Sequence, residues 1–234
     1  MKKKYSIILF DADGTLFDFL KAERSALTRC LEHFGIEATD QNISIYSQIN
    51  DRYWKLLEKG LTTKNELKYK RFRDFLATVG SSADSDAIAD MYAGTLGDYH
   101  YLIDGAEDIC LQLRSVGCRL YIVTNGIKAV QEKRFNESGM AKYFDGFFIS
   151  EEIGVAKPDA TYFEAVSSAI SEFDRSDAII IGDSLTSDIL GGKNFGIDTC
   201  LYDPQNREIP AEMPIPDYRV AALSDIIHIV LGDN

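Results

Sequence analysis

The spacing of apolar residues divides this chain into two textures. From about residue 20 to residue 99 they recur every three or four positions: Leu27, Leu31 and Phe34; Ile49, Tyr53, Leu56 and Leu57; Leu67, Phe72, Phe75, Leu76 and Val79; Ile88, Met91, Tyr92 and Leu96. That period gathers each set on one face of a helix. Gly35, Gly60 and Gly80 stand where helices should stop, and Thr39, Thr63 and Asp84 stand where a side-chain oxygen can cap a first turn. After Asp104-Gly105 the pattern changes to short apolar runs at 119–123, 146–149, 178–181 and 199–202, separated by helical stretches. Continuous β-branched and aromatic runs of this kind predict a parallel sheet covered on both faces.

A further apolar run, at 5–10, opens the chain. A lone strand has nothing to pair with in the helical stretch, so it must join the later sheet. The helical block is then an insertion into an α/β core that is split in sequence.

Charge and cysteine usage narrow the partners. The net charge of −12 excludes a protein that coats a nucleic-acid polymer or an anionic membrane by bulk electrostatics. Cys30, Cys110, Cys118 and Cys200 form no C-x-x-C pair, and the chain holds three histidines, so neither a zinc site nor a disulfide framework is expected. The basic run Lys2-Lys3-Lys4 precedes an apolar stretch that ends at Asp11, too short for a signal peptide. No segment reaches the length of a membrane span. These features predict a cytoplasmic protein, a monomer or small homo-oligomer.

Open α/β sheets bind ligands beyond the carboxyl ends of their strands. There the first strand runs into Asp11 and Asp13, which share one side of an extended segment. The second runs into Thr124-Asn125-Gly126. A loop after the third carries Lys157-Pro158, and the fourth runs into Gly182-Asp183-Ser184, with Asp188 beyond. Buried carboxylates must be paired, protonated or bound to a cation. A small hard cation such as magnesium satisfies such a cluster, while Lys157, Thr124 and the amides after Asn125 suit a tetrahedral anion such as phosphate. An aspartate so placed can attack phosphorus, and a second carboxylate can serve the leaving group and water.

The set Asp11-Ala12-Asp13-Gly14-Thr15-Leu16, Thr124-Asn125-Gly126, Lys157-Pro158 and Gly182-Asp183-Ser184 to Asp188 resembles the haloacid dehalogenase superfamily of phosphohydrolases, with all four motifs in order. The resemblance implies a Rossmann-like parallel-sheet core from residues 1–16 and 101–234 with an inserted α-helical cap domain at 17–100. It implies Asp11 as nucleophile, Asp13 as general acid/base, and Thr124, Asn125 and Lys157 as phosphate-binding groups. Magnesium would be held by Asp11, the Asp13 carbonyl and Asp183, with Asp188 orienting Lys157 or a metal-bound water.

The stretches 149–158 and 182–192 resemble the branch containing bacterial pyrimidine nucleoside-monophosphate 5'-nucleotidases. A phosphomonoesterase acting on a small phosphorylated metabolite, a nucleotide first of all, is the leading expectation. Phosphatases of sugar phosphates, phosphomutases and carbon–halogen hydrolases are the alternatives; the last needs neither a metal nor an acid at position 13. In the helical block, Trp54 and Arg71 are candidate substrate contacts, Trp54 by stacking on a base or else by packing in the core.

Overall fold

A computed structural model describes residues 3–232; Met1, Lys2, Asp233 and Asn234, and with them the first lysine of the basic run, lie outside the described residues. The chain forms two compact units, one of residues up to 18, 101–128 and from 135 on, the other of 19–100 with 129–134.

The helical unit is built from α1 (Phe19–His33), α2 (Asp40–Glu58), α3 (Lys64–Val79) and α4 (Ser85–Leu96). The last three of these helices begin at the caps read in the sequence. Thr39 Oγ1 accepts from Asn42 N at 3.1 Å, Thr63 and Glu66 form a reciprocal capping box, and Asp84 accepts from the amides of Asp86 and Ala87. Gly80 closes α3 at a φ of 70°, a left-handed conformation that favours glycine. The interior packs aromatic rings edge to face and tilted, with Tyr46 4.9 Å from Phe72 and 5.5 Å from Tyr92 between centroids.

A buried polar chain runs through the same interior. The Glu23 carboxylate accepts from Ser47 Oγ at 2.5 Å and Asn50 Nδ2 at 2.8 Å, and Asn50 Oδ1 accepts from Arg71 Nη1 at 2.7 Å. The arginine and the glutamate are thus linked through an amide rather than by direct pairing, and the buried Arg71 Nε and Nη2 have no hydrogen-bond partner among the described residues.

In the other unit, β1 (Ile7–Phe10), β2 (Arg119–Thr124), β3 (Gly146–Ile149), β4 (Ala178–Gly182), β5 (Asp198–Tyr202) and β6 (Tyr218–Val220) form one all-parallel sheet in the order β3-β2-β1-β4-β5-β6. Phe10 lies opposite Ile122 on one side and Ile181 on the other, so the ends of three strands fall level. Strand order reverses on either side of β1, which is where such sheets open a crevice. The sixth strand is absent from the sequence reading: three residues with an arginine in the middle, after a proline-rich stretch, carry no apolar run.

From residue 101 on, the described residues form the helices α5 (Ala106–Ser115), α6 (Lys128–Ser138), α7 (Ser150–Ile153), α8 (Ala160–Ala169), α9 (Leu190–Phe195) and α10 (Ile226–Leu231). Alternation along each strand supplies both faces of the sheet. Ile8, Phe10, Leu120, Ile122, Ile179 and Ile181 pack with Ile109 and Leu113 of α5 and with Ile226 and Val230 of α10. Ile7, Leu9, Tyr121, Val123 and Ile180 pack with Tyr162, Phe163 and Val166 of α8 and Phe195 of α9. Residues 129–134 of α6 group with the helical unit, where Lys133 pairs with Asp98 and the Arg134 guanidinium lies 5.8 Å from the Phe19 ring. Among the described residues no helix is long and apolar enough to cross a membrane.

Candidate active site

Strand β1 delivers Asp11 to the end of the sheet. Its amide still donates to Ile181 O at 2.9 Å, continuing the ladder, while its side chain clears the last rung and stays buried. The chain then turns tightly: Leu16 N and Phe17 N both donate to Ala12 O, and Gly14 N donates to Phe17 O at 2.9 Å. Asp13, half-buried, bridges to Phe17 in this turn. Gly14 is required twice over. Its φ is +80°, and a Cβ there would overlap the Asp183 carboxylate.

Strand β2 ends on Thr124, which is buried and accepts from Gly126 N at 3.0 Å, leaving its hydroxyl proton to donate elsewhere. Asn125, read in the sequence as a phosphate contact, has its side chain engaged with the main chain of Lys157. Its Nδ2 donates to Lys157 O and its Oδ1 accepts from Lys157 N, both at 2.9 Å. This two-point clasp fixes the peptide from which the lysine side chain projects.

The Lys157 ammonium is 1% exposed and has three acceptors: Asp11 Oδ1 at 2.7 Å, Asp188 Oδ1 at 2.6 Å and Val123 O at 2.7 Å. It therefore ties the ends of β1 and β2 to the turn after β4. Beyond β4, Ser184 Oγ accepts from Ser187 N at 3.2 Å, and Asp188 Oδ2 accepts from Ser184 N at 3.1 Å. Gly182 makes room for this arrangement, since a Cβ there would overlap the Asp188 carboxylate.

The resulting electrostatics are one-sided. Asp11, Asp183 and Asp188 bring carboxylate oxygens within 4.8 Å of one another, against the one ammonium of Lys157. Burial holds the Asp11 carboxyl well above the usual range; Lys157 works against that shift, and the charges of Asp188 and Asp183 add to it. Burial, then the charge of Asp188, pushes Asp183 up to about 7, with Arg207 and Lys157 opposing. Burial disfavours the Lys157 ammonium, yet Asp11 and Asp188 outweigh it, and its pKa stands above the usual lysine value.

This donor set fits a small divalent cation. It is all oxygen, crowded and short of positive charge, which is the chemistry magnesium takes with a few carboxylates and several waters. Asp188 has both oxygens committed, one to Lys157 and one to the Ser184 amide, so Asp11 and Asp183 are the carboxylates left to ligate. The two candidates in the helical unit are placed differently. Trp54 is half-buried on α2, and Arg71 is 2% exposed inside the unit, its guanidinium on Asn50 and 5.1 Å from the Tyr92 ring centroid.

One cluster beside the site escaped the sequence reading. Asp203, just past β5, is buried and accepts from Arg207 and Arg219, and Arg207 Nη2 donates to Asp183 O at 3.3 Å. An aspartate at a strand end was its visible signal; its partners are set by tertiary structure.

Residues 5–196 match the model of the haloacid dehalogenase-like hydrolase family. The chain is 38% identical to the HAD-hydrolase YfnB of Bacillus subtilis over 99% of this chain and 98% of that one. A crystal structure of YfnB bound to magnesium superposes with a TM-score of 0.91 over 97% of this chain and 99% of that chain. This chain is also 37% identical to the pyrimidine 5'-nucleotidase PynA of Streptococcus pneumoniae, over 95% of this chain and 94% of that one. For the pyrimidine 5'-nucleotidase YjjG of Escherichia coli the identity is 30%, over 95% and 96% of the two chains.

Proposed function

The chain belongs to the haloacid dehalogenase-like hydrolase family, and from that premise we propose that it is a magnesium-dependent phosphomonoesterase acting on a nucleoside 5'-monophosphate through an aspartyl-phosphate. The observation that carries this reading is the Asp11 carboxylate. It is buried, held in one orientation by the Lys157 ammonium, and grouped with a second carboxylate, Asp183, that has no role as a nucleophile. The similarity to PynA and YjjG supports a nucleotide as substrate.

In this reading Asp11 attacks phosphorus, the bond to the nucleoside 5'-oxygen breaks, and Asp13 protonates that oxygen as it leaves. Water then adds to the phosphorus of the acyl phosphate while Asp13 takes its proton; the bond to Asp11 breaks and inorganic phosphate departs. Lys157 and the Thr124 hydroxyl face the charge that builds on the phosphoryl oxygens, and Asn125 keeps the lysine in register. Asp11, the Asp13 carbonyl and Asp183 would hold a magnesium ion, which would supply the remaining positive charge that a dianionic substrate needs among so many carboxylates. Asp188 holds the other side of Lys157, which keeps that ammonium protonated and pointed at Asp11.

The test is phosphate release from a panel of nucleoside monophosphates, sugar phosphates and para-nitrophenyl phosphate, with magnesium and with chelator. Turnover of pyrimidine nucleoside monophosphates that stops in chelator and returns with magnesium is the expected result. Asp11→Asn keeps the shape of the side chain and should abolish it. Full activity in chelator, or near-native turnover by the Asp11 variant, would refute the reading.

A further inference from the structure

Next to the acidic group stands a second charged cluster that the proposed chemistry does not use. Asp203 follows β5, and its carboxylate is buried. Its Oδ2 accepts from Arg207 N at 2.9 Å and from Arg219 Nε at 3.1 Å, and its Oδ1 accepts from Arg207 Nε at 2.9 Å. Arg219 Nη2 closes the group by donating to both Asp203 Oδ2 and Arg207 O. The cluster is rooted in the sheet, since Asp203 N donates to Val220 O, at the end of β6, at 2.8 Å.

Two arginines on one carboxylate explain how a buried aspartate is tolerated. They do not explain where the Arg207 guanidinium points. With its Nε held by Asp203, its Nη2 reaches back across to β4 and donates to the carbonyl of Asp183 at 3.3 Å. The peptide of a residue with a carboxylate in the acidic group is thereby tied to a rigid ion-paired clamp at the ends of β5 and β6.

We propose that Arg207 is a positioning residue for cation binding: anchored by Asp203, it fixes the Asp183 peptide so that the Asp183 carboxylate is held where a divalent cation needs it. The inference rests on the cation reading of Asp11 and Asp183 given above. It makes a prediction whose sign separates it from simple electrostatics. Arg207 carries a positive charge, so if charge alone mattered its removal would tighten the binding of a divalent cation. If positioning dominates, removal loosens it.

The experiment is Mn2+ binding to the full chain, read by electron paramagnetic resonance of the free ion, with Mg2+ competition. The Arg207 side chain is 54% exposed, so Arg207→Met should leave the fold intact, which circular dichroism checks. The loss of one hydrogen bond to the Asp183 peptide should raise the dissociation constant about 3- to 10-fold. Asp203→Asn should move it the same way, and the double variant should bind no more weakly than Arg207→Met alone, because Asp203 acts through Arg207. Equal or tighter Mn2+ binding by Arg207→Met overturns the role assigned to Arg207. An absence of Mn2+ binding by the unaltered protein overturns the cation reading itself, a result distinct from the first.

Discussion

Replacing Lys157 by methionine tests the electrostatic logic of the site most directly. The substitution keeps an unbranched apolar stem, one atom shorter than the lysine side chain, and removes one charge with three donated hydrogen bonds, to Asp11, Asp188 and Val123 O. Both carboxylates stay buried and lose their cation. Breaking a buried pair in this way costs about 3–5 kcal/mol, since the stranded charges retain their desolvation penalty. In a chain of this size each kcal/mol lowers the melting temperature by about 2–4 °C, so a fall of roughly 6–20 °C is expected.

Activity should drop by about 10²- to 10³-fold, the usual effect of losing a preorganised charge that faces the transition state. The assay is thermal unfolding of both proteins in chelator between pH 5.5 and 8, alongside phosphate release. Without its lysine, Asp11 holds its proton to still higher pH, so acidification should restore the variant more than the parent and narrow the gap in melting temperature. A variant that melts with the parent at every pH and retains activity within tenfold would show that Lys157 does not hold Asp11 and Asp188 in the way its contacts imply.

In the cation-free protein, Asp183 has a pKa raised from 3.8 to about 7, and burial shifts Asp11 in the same direction. The folded state then binds more protons than the unfolded chain between those values, so this contribution is present below about pH 4 and lost as pH rises through 7. Melting in chelator should accordingly fall between pH 6 and pH 8, and magnesium should recover more stability at pH 8; a flat or rising profile would refute the shift. Gly14→Ala should reduce divalent-cation affinity and turnover together, because the new Cβ meets the Asp183 carboxylate at a φ of +80°; calorimetric titration with Mg2+ reads the first effect. Trp54→Ala should lower kcat/KM for a nucleotide about 5- to 150-fold, the roughly 1–3 kcal/mol of a stacked base, and less for para-nitrophenyl phosphate. Equal losses on both substrates with a lower melting temperature would make Trp54 a packing residue.

The parts of this protein that were legible in its sequence are those set by local spacing. Thr39, Thr63 and Asp84 announce helix starts because a cap and its amide lie two or three residues apart. Asp11, Thr124 and Asp183 announce themselves because each follows an apolar run that can only be a covered strand. What the sequence hides is partnership across the fold. Asn50 joins Glu23 and Arg71 from helix to helix, and no periodicity marks three polar residues, each on a different helix, as mutual partners. Arg71, a candidate substrate contact in the sequence, is buried and donates to Asn50. The Asp203 cluster and β6 are hidden for the same reason, since Arg219 owes both its strand and its ion pair to a neighbouring strand rather than to its own segment.

The central place of β1 in the sheet has a consequence for synthesis of the chain. Its four apolar residues leave the ribosome well before both of its neighbours, which are encoded far downstream: β2 begins more than a hundred residues later, and β4 later still. At about 5–20 residues per second, Ile7–Phe10 waits on the order of 5–20 s for its first partner. The four helices α1–α4 emerge meanwhile and contact one another, ahead of any partner for that strand. The nascent chain thus carries an uncovered apolar strand ahead of its forming helices, and the helical unit itself is completed only when residues 129–134 follow β2.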